Sequence, residues 1–314
     1  MNIEPFKVCL ERIVGAEGLL EHEPMSRHTT LRIGGPARYF VLPQSQEQME
    51  GVLQACKKEG FPWFILGNGS NLLVSDRGYK GVVIHIGSLL GAIAVEGEQI
   101  SAQAGALLSQ VAHRALAHGL TGMEFAAGIP GTLGGACLMN AGAYGGEMKQ
   151  ILLSVTALDP KGGLVEIPVD KLELGYRDSL LMRGGYVALT ARLQLARGNA
   201  EQIQGRMEEL KALRVQKQPL EFPSAGSTFK RPEGCFAGKL IMDAGLRGYR
   251  VGGAQVSEKH CGFVINAGGA TAEDVCRLIA DVHRIVYEKF GKTLEPEIRF
   301  LGFDGVSVPP ISAK

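Results

Sequence analysis

The sequence predicts an α+β protein of about two domains. Three observations carry that prediction. The length of 314 residues leaves room for a sizeable core in each domain. Short apolar strands are mixed with helices whose apolar residues recur at helical spacing. The texture changes near Gly198-Asn199, where a strongly charged helix begins, so the main domain boundary is placed there.

In chain order, Phe6, Leu10, Ile13 and Val14 predict an amphipathic helix within residues 1–20. Gly34-Gly35 before Pro36 marks a turn ahead of a strand over 38–42. Ser45 and Gln48 form a capping-box signature for a helix with Met49, Val52, Leu53 and Cys56 inward, ended by Gly60. Residues 61–66 read as a strand that runs into the polar loop Gly67-Asn68-Gly69-Ser70-Asn71. Strands follow at 82–86, 93–96 and 100–104, then a helix over 105–118 with Leu108, Val111, Ala112 and Ala115 on one face. Lys161-Gly162-Gly163 predicts a hairpin between strands 152–159 and 164–167. A strand over 186–195 precedes the charged helix 201–218, whose apolar face is Ile203, Met207 and Leu210. The remainder predicts a smaller α+β unit. It holds a helix at 238–244, a strand at 262–266, a long helix capped by Thr271 and Asp274, a last strand over 294–301, and a loose tail from Val308.

Composition excludes several functions. Lys+Arg 33 against Asp+Glu 32 leaves +1, so no bulk field favours nucleic acid or an acidic membrane. No apolar run is long enough to span a bilayer, and Met1–Phe6 lacks the basic-then-apolar order of a signal peptide. The 6 Cys form no C-x-x-C pair, which argues against zinc and for reduced thiols in a cytoplasmic protein. The 7 His are dispersed; His113 and His118 fall on different helix faces and read as surface residues, so no metal site is expected.

Residues 126–146 stand apart. Glycine recurs through the run, yet no charged side chain appears before Glu147. It reads either as backbone wrapped around something large and flat, with N–H groups free to bind, or as tight turns between core strands. The loop 67–71 can likewise aim several N–H groups at a diphosphate, or be a simple Asn-Gly turn. Leu72 occupies the last position of a G-x-G-x-x-G reading, so the Rossmann fingerprint fails, and no P-loop is present.

Three polar residues follow these loops: Arg177 in a turn, Ser227 beside a proline-bounded loop, and Glu297 after Pro296. Each has a plain explanation. Arg177 can pair with Asp178 at the surface, Ser227 can be a turn hydroxyl, and Glu297 can face solvent while Ile298 faces in. Ser227 is not in a G-x-S-x-G elbow.

Segments 30–37, 67–76, 127–146, 175–179, 226–232 and 294–299 occur in the order found in one family. The sequence resembles the UDP-N-acetylenolpyruvoylglucosamine reductases, flavoenzymes of bacterial cell-wall precursor synthesis, in their shorter subclass. Between Arg177 and Tyr186 there is no room for the tyrosine-bearing loop of the longer subclass. The resemblance implies a vanillyl-alcohol-oxidase-type FAD domain of two α+β subdomains over 28–198, after an N-terminal helical segment at 1–27, and a substrate domain over 199–314. It assigns Gly67, Asn68, Gly69, Ser70, Asn71 and Leu72 to the FAD diphosphate side, and Gly128, Ile129, Pro130, Gly131, Gly134, Gly135, Asn140, Gly142 and Ala143 to other flavin contacts. FAD would be held non-covalently, with NADPH as co-substrate.

The implied reaction passes hydride from N5 of reduced FAD to the enolpyruvyl ether, and a proton from Ser227 completes the lactyl ether. Arg177 and Glu297 would meet the charge that develops on the carboxylate. Lys217, Arg214 and Lys230 are the cations expected at the substrate. The partners are then small molecules, a UDP-sugar and NADPH, with the oligomeric state left open. An FAD-dependent oxidase of an alcohol or sugar on the same fold is the alternative; it would use oxygen and often a covalent flavin.

Overall fold

The architecture is read from a computed structural model, which describes residues 3–303. The tail from Val308, expected to be loose, lies outside the described residues. The chain folds as two compact units. The first holds the chain up to Leu20, Phe40–Asn68 and Gly81–Arg214; the second holds Glu21–Tyr39, Gly69–Lys80 and the chain from Val215.

In the first unit, the helix Ile3–Val14 buries Phe6, Leu10 and Val14, as their spacing requires. The helix Gln46–Glu59 starts where Ser45 Oγ accepts the Gln48 N–H and ends at Gly60 in the left-handed region. The Phe6 ring lies flat on Phe61, centroids 3.9 Å apart. Trp63–Leu66 pairs in parallel with residues 82–85. The strand Leu19–Pro24 gives no strand signal in sequence, because its burial does not alternate.

A five-stranded antiparallel sheet holds the larger core. Its order is Leu164–Pro168, Leu152–Leu158, Val187–Gln194, Gln99–Gln103, Ile93–Glu96. The predicted hairpin closes on Asp159, whose Oδ1 accepts the N–H groups of Lys161 and Gly163. Ile100, Ala102, Val155, Ala157, Ala191 and Leu193 are buried together with Leu108, Val111 and Ala115 of the helix Leu108–Ala117. Ile203 and Met207 of the helix Ala200–Lys217 join this same core, and the compact unit runs on to Arg214.

The second unit is a four-stranded sheet in the order Ser224–Ser227, Phe263–Asn266, Ala254–Val256, Arg250–Val251, with the helices Ala237–Asp243 and Ala272–Phe290. Ile241, Val264, Val275, Leu278, Ile279, Val282 and Val286 make its core with Leu31, Ile33 and Leu73. Thr271 Oγ1 accepts the Asp274 N–H, and Asp274 accepts the Thr271 N–H in return. Asp76 adds a second cap, accepting the Ala272 and Glu273 N–H groups at 2.8 and 3.1 Å.

The last strand is shorter than its hydrophobicity predicts. Only Arg299–Leu301 is ladder, paired in parallel with Leu72–Val74. Pro296 lacks an N–H to donate, and that segment instead makes a single bridge to Phe229.

Candidate active site

In the second unit, three loops put the predicted serine and glutamate on adjoining segments. Gly226, at φ +76°, breaks the register of Ser224–Ser227 against its neighbour strand. A glycine bulge of this kind re-aims the residue beside it, here Ser227. The next residue, Thr228, is buried; its Oγ1 accepts the Val264 N–H at 2.9 Å and its carbonyl accepts the Glu297 N–H at 2.7 Å. Asn71 Nδ2 donates to the Glu297 carbonyl at 3.1 Å, so the polar loop after Gly69 also grips the glutamate. Ser227 and Glu297 are both half-buried.

Lys230, expected near the substrate, donates to Glu295 Oε2 at 3.3 Å in a largely exposed pair, which contributes little to stability. Lys217 is exposed at the end of its helix. Arg299 closes the 294–299 segment. It is mostly buried, and burial draws its guanidinium below the ordinary arginine value.

In the first unit, Arg177 is one of the few non-glycine residues at positive φ, +57°. That conformation costs on the order of 1–3 kcal/mol and persists only where its surroundings impose it. The Arg177 Nη2 donates to the Gly142 carbonyl at 3.5 Å, and the guanidinium lies 5.2 Å from the centre of the Tyr176 ring. The Asp178 carboxylate is taken by Arg183.

Asn140 is 2% exposed. Its Nδ2 donates to the Gly175 carbonyl and to Glu147 Oε2, both at 3.1 Å, and its Oδ1 accepts the Lys149 N–H at 2.9 Å. Sequence reasoning missed Ser179, Glu147 and Thr132. Their only signal was position: Thr132 lies inside the uncharged run, Glu147 directly after it, and Ser179 at the end of segment 175–179.

The glycine-rich segment is less open than expected. It contains a short helix, Leu133–Leu138, capped by Thr132. The Leu133 and Gly134 N–H groups donate to the Ala106 and Ala104 carbonyls at 2.8 Å, and the Gly135 N–H goes to Thr132 Oγ1. These three donors are therefore spent on the fold. What the segment offers a flat ring is close backbone approach. Asn68 Nδ2 donates to the Pro130 carbonyl at 2.7 Å, and a methyl group at Gly67 would lie 2.4 Å from Thr132 Oγ1. Arg214 lies against Gly128: a methyl group there would be 3.3 Å from its Cδ. Burial lowers the Arg214 pKa, with Tyr144 acting in the opposite direction, though a guanidinium stays charged.

The polar loop suits an anion better. Among the described residues, the N–H groups of Asn68, Gly69 and Ser70 have no protein acceptor. Gly69 sits at φ +59°, and a methyl group there would lie 2.0 Å from the His28 carbonyl oxygen. Successive unengaged N–H groups in such a turn make an anion nest. The residues of this loop therefore fit the diphosphate of a dinucleotide.

The comparisons agree with this geometry. Residues 37–168 match the profile of the FAD binding domain. The class of protein is thus an FAD-dependent oxidoreductase of mixed α+β architecture. Residues 218–301 match the C-terminal domain of UDP-N-acetylenolpyruvoylglucosamine reductase. A protein of that name from Lachnoclostridium phytofermentans is 54% identical over 297 residues, covering 93% of this chain and 96% of its own. One from Clostridioides difficile is 48% identical over 97% of this chain and 100% of its own. The crystal structure of UDP-N-acetylenolpyruvylglucosamine reductase from Thermus caldophilus superposes with TM-score 0.77 at 36% identity, covering 90% of this chain and 98% of that one. The chain belongs to the UDP-N-acetylenolpyruvoylglucosamine reductase family. Among the described residues, no helix is long and apolar enough to cross a membrane.

Proposed function

We propose that this chain reduces the enolpyruvyl ether of UDP-N-acetylglucosamine enolpyruvate to UDP-N-acetylmuramate, drawing electrons from NADPH, in the bacterial cytoplasm. The observation that carries the reading is the meeting of the Ser227 and Glu297 segments through the 2.7 Å bond from the Glu297 N–H to the Thr228 carbonyl.

FAD, when bound, supplies the hydride chemistry. The protein's part is to hold it and to manage charge and protons. Asn68, Gly69 and Ser70 would take the diphosphate, with Gly67, Asn71 and Leu72 shaping the loop. Gly128–Gly135 and Asn140–Ala143 would line the ring. Arg177 receives the carboxylate charge that grows as hydride arrives, through parallel hydrogen bonds. Glu297 is the third proposed catalytic group, a hydrogen-bond donor when protonated. Ser227 Oγ–H protonates the carbon next to the carboxylate; the carbanion there is more basic than an alkoxide, so the transfer runs downhill. Lys217 and Arg214 are the proposed cations for the phosphate-bearing substrate, and Lys230, now held by Glu295, supports the serine. In this reading residues 28–198 bind FAD and residues 199–314 bind substrate, after the helical segment 1–27.

The test is anaerobic. NADPH should bleach the purified flavoprotein, and the enolpyruvyl sugar nucleotide should then restore the oxidised spectrum. Bleaching without recovery would overturn the substrate assignment.

A further inference from the structure

We propose that Ser179 and Asn140 are positioning residues for Arg177, clamping its turn at both ends to the close of the glycine-rich segment. The inference rests on the role given to Arg177 above.

The turn Gly175–Ser179 is held from two sides. At its start, Asn140 Nδ2 donates to the Gly175 carbonyl at 3.1 Å. At its end, Ser179 Oγ donates to the Leu138 carbonyl at 2.7 Å while accepting the Met182 N–H at 3.2 Å. Inside it, Gly175 and Asp178 exchange backbone hydrogen bonds at 3.0 and 3.4 Å. Both clamp residues are buried: Ser179 is 0% exposed and Asn140 is 2% exposed. A buried side chain with every polar atom engaged has one orientation, and what it holds inherits that precision.

The clamped object is itself improbable without help. Arg177 sits at φ +57°, a region an arginine leaves unless held. Asn140 is likewise at positive φ, +41°, two positions before Gly142, whose carbonyl accepts from Arg177 Nη2. The strained arginine and the strained asparagine therefore face one another across a short closed circuit: Leu138, Asn140 and Gly142 on one strand of chain, Ser179, Gly175 and Arg177 on the other. Glu147 and Lys149 fix Asn140 in turn. Ser179 needs no contact with substrate or flavin to matter. Its hydroxyl, by serving as helix cap and as anchor to Leu138, sets where the guanidinium stands when charge develops.

A double-mutant cycle on the flavin-loaded protein tests this, read by single-turnover rates of each half-reaction. Ser179→Ala should slow reoxidation by the enolpyruvyl sugar nucleotide by about 10- to 100-fold, while leaving bleaching by NADPH within about threefold, a range expected for loss of orientation alone. In an Arg177→Ala background the same change should have no further effect. Multiplying effects would overturn the proposal, as would equal slowing of both half-reactions. Should Ser179→Ala lose its flavin, Ser179→Cys keeps the shape with a weaker donor, and its reoxidation should fall in the same sense; unchanged reoxidation there also overturns it. If Arg177→Ala alone leaves reoxidation intact, the assignment of Arg177 fails instead.

Discussion

A serine hydroxyl is a poor acid in water, and Ser227 is useful only against a base stronger than its own alkoxide. A carbanion next to a carboxylate is such a base, whereas the flavin's reduction by nicotinamide needs no proton from this position. Ser227→Ala should therefore leave bleaching by NADPH intact and slow reoxidation by substrate about 10²- to 10⁴-fold, the usual reach of a general acid. Stopped-flow absorbance of the flavin separates the two halves; loss of both would show the serine to be structural.

Cys137 makes the opposite kind of point. It lies in the glycine-rich segment, is fully buried, and burial pushes its thiol up to about 12. At neutral pH its thiol stays protonated, the form that is a poor nucleophile. An ordinary thiol titrates near 9.0, so the folded state holds the proton more tightly. The stability this contributes is complete below about pH 9 and is lost as pH rises towards 12. Denaturant midpoints should accordingly fall above pH 9, and less so in Cys137→Ala.

At the scale of elements, the long helix Ala272–Phe290 is stopped and started by particular residues. Its cap was legible: Thr271 and Asp274 stand at capping-box spacing and bond as that spacing requires. Hydrogen bonds from the backbone N–H groups of Thr271 and Gly253 hold the Asp274 carboxyl below its usual range. A depressed carboxylate contributes stability above its unfolded value of 3.8, lost as pH falls through the folded one. Asp76 was not legible. It ends the polar loop at a great distance in sequence, and nothing local says that its carboxylate will bind the Ala272 and Glu273 N–H groups. Asp76→Ala removes both acceptors at a helix N-terminus and should cost about 1–2 kcal/mol by chemical denaturation. An unchanged midpoint would mean that water replaces it.

The same contrast runs through the site. Apolar periodicity gave the helices, and the hairpin glycines gave their turn, because those signals are local. The strand expected over 294–301 was overestimated because Pro296 removes a donor that hydrophobicity does not count. The glycine-rich run stayed open between a cradle and tight turns because composition reports uncharged, flexible backbone without saying which N–H groups the fold consumes; Ala104 and Ala106 take two of them. Arg177, Ser227 and Glu297 stood out only as polar residues in odd places. Their weight came from family order, since no spacing rule links positions so far apart.

For the whole molecule, binding and folding are one equilibrium. The loop Asn68–Ser70 presents N–H groups that no protein acceptor satisfies among the described residues. Bound FAD would give those donors an acceptor. A ligand that binds only the native state adds RT ln(1 + [L]/Kd), about 2.7 kcal/mol at a hundredfold excess over Kd. Stripped protein should therefore melt at a lower temperature than holoprotein, with Tm rising in proportion to the logarithm of added FAD. Gly69→Ala tests the site behind that shift. Its methyl group would press on the His28 carbonyl in a conformation alanine resists, so the loop must move. The variant should keep its fold, lose yellow colour on gel filtration, and show a Tm that responds to FAD only at much higher concentration. Acid precipitation of the wild-type holoprotein should leave the colour in the supernatant, as a ligand held by hydrogen bonds and packing alone must. Colour retained in the pellet would mean a covalent link, and Tm would then no longer report on free FAD at all.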